Sequence, residues 1–132
     1  MYGFNVKLKE NFDAAVVRVT EALKKEGFGV LSDLDIQAAM KEKLNADIPR
    51  YRILGACNPP LALKALTADP DIGLLLPCNV VVREDAGGAV TVALVDPQAM
   101  MKLAGGAAVQ EVADDAAARL RRVRDALAVN AG

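Results

Sequence analysis

The segment Arg50-Tyr-Arg-Ile-Leu-Gly-Ala-Cys-Asn-Pro-Pro60 changes from the periodicity of a strand to the start of a helix. Alternate positions on one face of the predicted strand are Tyr51, Ile53, Gly55 and Cys57. Asn58 is a favoured helix N-cap, and Pro59 has the fixed φ that suits the first helical position. A strand that runs directly into a helix fixes Cys57 at the joint, so this boundary constrains the fold strongly.

The other strands are predicted from alternating or continuously apolar stretches bounded by turn residues. The turn Asp85-Ala-Gly-Gly88 predicts a hairpin, so the last two strands are expected to be antiparallel. Pro77 cannot donate to a ladder and marks an edge, a bulge or a bend in its strand. The predicted strands cover residues 4–8, 28–34, 50–57, 73–83 and 89–95.

Helices are predicted between these strands and after the last one. Gly27 is typical of the residue that follows a helix C-terminus. The final helix carries an apolar stripe at spacings of three and four, from Val109 to Leu127. The expected N-caps are Asn11, Asp33 or Asp35, Asn58 and Asp96, and the long C-terminal helix follows a break at Gly105-Gly106.

The predicted order of elements is β-α-β-α-β-α-β-β-α-α. The expected fold class is α+β: a single, mostly antiparallel sheet of about five strands covered by helices, with a long C-terminal helix. We expect residues 1–132 to form one domain, because the sequence shows no internal repeat or low-complexity linker. The stripe of the last helix would lie across the sheet or, alternatively, meet a second copy of itself.

Composition excludes several classes of function. A net charge of −1 and a pI near 5.4 argue against a nucleic-acid partner, because phosphate contacts need a basic face. No apolar run is long enough to span a membrane, and the absence of an export signal makes the cytoplasm the expected compartment. The sequence contains no His, which removes the commonest general base and transition-metal ligand. No cofactor and no metal site are therefore expected.

Cys57 is the first candidate for a ligand-binding or nucleophilic residue. A thiol beside a helix N-terminus ionises more easily than a free thiol, and free backbone N–H groups there would attract an anion. Arg52 and Arg83 would hold a carboxylate or phosphate near this helix start, with Asn58 as its N-cap. The alternative is that Cys57 is a small core residue and that the arginines pair with carboxylates at the strand ends.

Cys78 is the only other cysteine and lies in the most apolar predicted strand. Burial there would raise the pKa of its thiol and make it inert. A functional role requires Cys57 nearby, as a redox pair or as a two-thiolate soft-metal site, and the latter would be incomplete without further ligands.

Three hypotheses of function remain open, and the sequence does not decide whether the protein is an enzyme. The preferred one is a dimeric binding module for a small anionic or thiol-reactive ligand near Cys57. The second is a thiol-based redox or transfer enzyme that uses Cys57 and Cys78. The third is a structural or partner-binding protein that uses the C-terminal helix as its interface.

Three stretches, taken together, resemble a known prokaryotic family, the domain of unknown function 302. They are Gly27–Leu31, Arg52–Pro60 and Gly73–Arg83, and Val95-Asp-Pro97 also fits. The resemblance implies a small α+β fold and commonly a homodimer, without an activity to carry over. In the family pattern a His often follows the Asn-Pro-Pro segment, and here Leu63-Lys64 occupies that stretch. If that His serves a site in the relatives, this chain either lacks the site or uses Lys64 in its place.

Overall fold

The computed structural model describes residues 1–129, so residues 130–132, which the single-domain prediction includes, lie outside the described residues. The predicted order of helices and strands is confirmed. The strands are β1 (Gly3–Leu8), β2 (Gly29–Asp35), β3 (Tyr51–Cys57), β4 (Cys78–Glu84) and β5 (Val90–Val95). The helices are α1 (Phe12–Lys25), α2 (Ile36–Leu44), α3 (Pro59–Ala68), α4 (Pro97–Met101) and α5 (Ala107–Val129).

The five strands form one sheet in the order β1-β5-β4-β3-β2, and every neighbouring pair is antiparallel. The α+β class and the covering helices are therefore as the sequence predicts. The strand order itself was not predicted, because it depends on contacts between distant segments. It places β3 and β4, which carry the two cysteines, side by side, and leaves β1 and β2 at the edges.

Helices α1, α3 and α5 pack on one face of the sheet. The apolar stripe of α5 is buried within this chain's own core, together with buried strand residues such as Val80 and Leu94. Of the two roles expected for this stripe, it takes the intramolecular one. The buried members of the stripe are Val109, Val112, Ala116, Leu120, Val123 and Leu127.

The helix boundaries follow the predicted caps. The side chains of Asn11, Asp35, Asn58 and Asp96 each accept a hydrogen bond from a backbone N–H in the first turn of their helix. Gly27, with a φ of +84°, ends α1, and its N–H and that of Phe28 donate to carbonyls of the last helical turn.

The predicted strand over residues 73–83 is wrong in its first part. Pro70–Leu75 forms a 3₁₀ helix, and β4 begins only at Cys78. Asp69 caps this short helix by accepting from the N–H of Asp71, and Pro70 supplies the helical φ. Leu74 and Leu75 thus belong to this 3₁₀ helix, and Leu76 lies in the short segment between it and β4.

None of the helices in residues 1–129 is both long enough and apolar enough to cross a membrane.

Candidate functional site

Asn58 ties the joint between β3 and α3 to the end of α1. Its side-chain oxygen accepts from the N–H of Leu61 at 3.3 Å, and its Nδ2 donates to the carbonyl of Glu26 at 3.4 Å. Arg119 of α5 donates to the same carbonyl at 3.1 Å. A Cβ on Gly27 would lie 2.9 Å from Nδ2 of Asn58, so this close approach also favours glycine there. Asn58 is therefore a structural link, and it is almost fully buried.

The first turn of α3 offers no anion site of the kind expected. Pro59 and Pro60 have no N–H, and the N–H of Leu61 is already capped by Asn58. The next N–H, that of Ala62, donates to the carbonyl of Asn58 within the helix. The three helical positions whose N–H groups usually lack an intrahelical partner, residues 59–61, thus have no N–H to offer or have it occupied.

The arginines expected beside Cys57 lie at the other end of the strands. Arg52 is five residues before Cys57 on β3, which is about 16 Å along an extended strand. Its guanidinium pairs with Asp33, and that of Arg83 pairs with Asp85. These are strand-edge carboxylates, so the contacts agree with the alternative that the sequence left open. Arg52 and Arg83 are not brought together with the cysteines.

Cys57 and Cys78 are both free thiols on neighbouring strands. Cys78 pairs across the sheet with Ala56, so Cys57 is one residue beyond its cross-strand partner. Successive strand residues point to opposite faces, whereas a disulfide needs converging Cβ vectors. Burial, with a smaller contribution from the charge of Cys57, raises the pKa of the Cys78 thiol to about 11. Cys78 is therefore a poor resolving thiol.

An apolar cavity of about 280 Å³ opens beside this joint. It lies where the ends of β3 and β4 meet α3, α5 and the loop that precedes β4. Cys57, Asn58 and Cys78 line it, so the structure brings three of the five predicted site residues to one place. Alanines from β3, α3 and α5 make room for it. They are Ala56, Ala62, Ala65, Ala113 and Ala116.

The chemistry of the wall is almost entirely that of hydrocarbon and sulfur. Within residues 1–129, no Lys, Arg, Asp or Glu lines the cavity. Met101 adds a thioether to the two thiols, and Phe28 supplies an aromatic face. No group of three or more His, Cys, Asp or Glu side chains in the described part of the chain is placed to hold a metal ion. The arrangement fits a neutral apolar molecule.

Sequence reasoning missed most of this wall, because its residues come from segments far apart in the chain. Leu31, Leu66, Pro77 and Met101 belong to no chemical motif, so nothing in the sequence marks them as neighbours of Cys57. The one usable signal was the small Gly55-Ala56 pair directly before Cys57. Lys64, the candidate replacement for the family's His, pairs with Glu111 on the exposed side of α3 at 2.8 Å and does not line the cavity.

Comparison with known proteins agrees with this architecture. The family model described as "Domain of unknown function DUF302" matches residues 4–127. The chain is also similar to a crystal structure of an "uncharacterized conserved protein DUF302" from Bacillus stearothermophilus. The two share 29% sequence identity and superpose with a TM-score of 0.87, covering 96% of this chain and 98% of that chain. No protein with a curated description matches the chain.

Proposed function

The chain belongs to the DUF302 family, a membership that assigns no activity, and from its geometry we propose that it is a binding module for a small, neutral, apolar molecule. The observation that carries this proposal is the apolar cavity at the joint of β3 and α3. Its volume of about 280 Å³ compares with about 150 Å³ for an engineered cavity that binds benzene. A two-ring aromatic compound or an alkyl chain therefore matches the space.

Cys57 is half-buried and is one of the residues that line the cavity, which supports a thiol-reactive group in the same ligand. Of the two ligand chemistries considered, the anionic one has less support. The first helical turn of α3 offers no free N–H, and Arg52 and Arg83 are paired elsewhere. A carboxylate inside the cavity would lose its hydration without gaining a partner, and such a loss is costly.

A two-cysteine redox enzyme is the less favoured function. It requires Cys78 to attack a disulfide or adduct at Cys57 as a thiolate. The raised pKa of Cys78 and the opposite facing of the two strand positions both act against this step.

Indole provides a direct test of the binding proposal. The chain contains no Trp, so a blue shift and intensity change of indole fluorescence on adding protein report on indole alone. We expect saturable binding of indole and no binding of indole-3-carboxylate, which has the same ring with a negative charge. Saturable binding of the carboxylate at equal or higher affinity would contradict the proposal.

Filling the cavity provides the matched control. Ala62 lines it on α3, and Ala68 is exposed on the same helix without lining it. We expect Ala62→Leu to weaken indole binding at least tenfold and Ala68→Leu to leave it unchanged, because leucine is a good helix former at both positions. Unchanged binding in Ala62→Leu would place the indole elsewhere. Thermal unfolding of both variants shows whether each remains folded.

A further inference from the structure

Leu31 lines the cavity but does not take part in the ladder of paired residues between β2 and β3. In the pairing of β2 with β3, Val30 faces Ala56 and Ser32 faces Gly55, so the ladder skips Leu31 at a β-bulge. Leu31 lines the cavity and is nevertheless 73% exposed. A side chain this exposed contributes little apolar burial. Bulges interrupt the ladder, and beside binding sites they re-aim a side chain.

Two other exposed leucines, Leu66 and Leu34, differ in whether they line the cavity. Leu66 on α3 also lines the cavity and is 40% exposed, so it stands at the mouth together with Leu31. Leu34 lies on the same edge strand as Leu31 and is 53% exposed, but it does not line the cavity. Leu31 and Leu66 therefore present apolar surface to water where the cavity opens.

We propose that Leu31 and Leu66 form the lip of the cavity and contact a ligand whose apolar chain extends from the interior to the mouth. This inference rests on the proposed function and adds the ligand's class. Among the side chains that line the cavity, that of Asn58 forms stronger hydrogen bonds than the thiols do. Its amide is already bonded to the N–H of Leu61 and to the carbonyl of Glu26. The ligand's polar end therefore remains in water beyond the lip. The ligand is a neutral amphiphile, such as a primary alcohol, with its chain inside.

The chain length of the ligand distinguishes the lip from the interior. Primary alcohols from butanol to octanol are titrated into the full-length protein by calorimetry. Each methylene that enters apolar surroundings is expected to tighten binding about fourfold. Leu31→Ser is expected to leave butanol binding unchanged and to weaken octanol binding about five- to tenfold, because only the longer chain reaches the lip.

Leu34→Ser is the matched control, since it makes the same change on the same strand away from the cavity. It is expected to bind every alcohol as the wild type does. The proposed lip is wrong if Leu31→Ser binds octanol as tightly as the wild type does. It is also wrong if Leu34→Ser weakens octanol binding as much as Leu31→Ser does. In either case binding of indole by the wild type, and its loss in Ala62→Leu, would leave the proposed function standing. A wild-type protein that binds neither indole nor any alcohol overturns both.

Discussion

At the scale of single residues, the two thiols differ in how much water reaches them. Cys78 lies in the main core with Ala56 and Val80, whereas Cys57 is half-buried. Burial favours the neutral form of a thiol, and the charge of a neighbouring thiolate disfavours a second charge. With a pKa of about 11, about one Cys78 thiol in a thousand is ionised at pH 8. Cys57 is thus the thiol with the better access to reagents and ligands.

The raised pKa of Cys78 also makes the folded state sensitive to alkali. The folded pKa of about 11 lies above the ordinary value of 9.0, because the folded state favours the neutral thiol. The contribution of the neutral Cys78 thiol to the free energy of unfolding is therefore complete below pH 9 and is lost as the pH rises towards 11. We expect the free energy of unfolding, measured in urea, to fall more steeply from pH 9 to pH 11 in the wild type than in Cys78→Ala. Cys57→Ala should keep most of the wild-type slope. Parallel slopes in wild type and Cys78→Ala would contradict this assignment.

At the scale of elements, Gly55 allows β2, β3 and the loop before β4 to meet. It faces Ser32 on β2 and Asn79 on β4, and the ring of Pro77 packs over it. A Cβ on Gly55 would overlap Ser32 Oγ and lie 2.8 Å from Cγ of Pro77. Since the proline ring is rigid, the loop that forms part of the cavity wall would have to move.

We therefore expect Gly55→Ala to lower the free energy of unfolding by about 1–3 kcal/mol, which is the usual cost of overpacking. Gly29→Ala on β2 is the matched control, because a Cβ there meets no atom within 4 Å. Urea unfolding of both variants measures the difference. Equal stability of Gly55→Ala and Gly29→Ala would show that the loop yields without cost. Gly55→Ala is also expected to reduce indole binding, since Pro77 lines the cavity.

The elements that the sequence predicts well are those set by local chemistry. Asn11, Asn58 and Asp96 cap their helices as expected, because a cap depends on residues within one turn. The 3₁₀ helix Pro70–Leu75 was missed, since an apolar run of this length is ambiguous without its tertiary partners. The cavity was missed for the same reason, because its wall combines residues from β2 to α5.

At the scale of the whole molecule, the sheet has two unlike faces. One is covered by α1, α3 and α5 and supplies the core. On the other, Leu34, Ile53, Val81 and Ala93 form an apolar row across four strands, and none of them is fully buried. Helix α2 contacts β3 but buries none of its own residues, so it gives this row little cover. A face of this kind is suited to a second copy.

The homodimer implied by the family resemblance is therefore expected to form through this row and not through α5, whose apolar stripe is already buried. Light scattering after gel filtration should give twice the chain mass of 13.9 kDa for the wild type. Val81→Lys places a charge in the middle of the row, and burying an unpaired charge at an interface is costly, so this variant should elute with the mass of one chain. Val17→Lys, on the exposed side of α1, makes the same change on the opposite side of the molecule and should remain a dimer.

A wild type with the mass of one chain, or dissociation by Val17→Lys and not by Val81→Lys, would contradict this interface. Since the cavity lies at the end of the sheet, both variants are expected to bind indole as the wild type does.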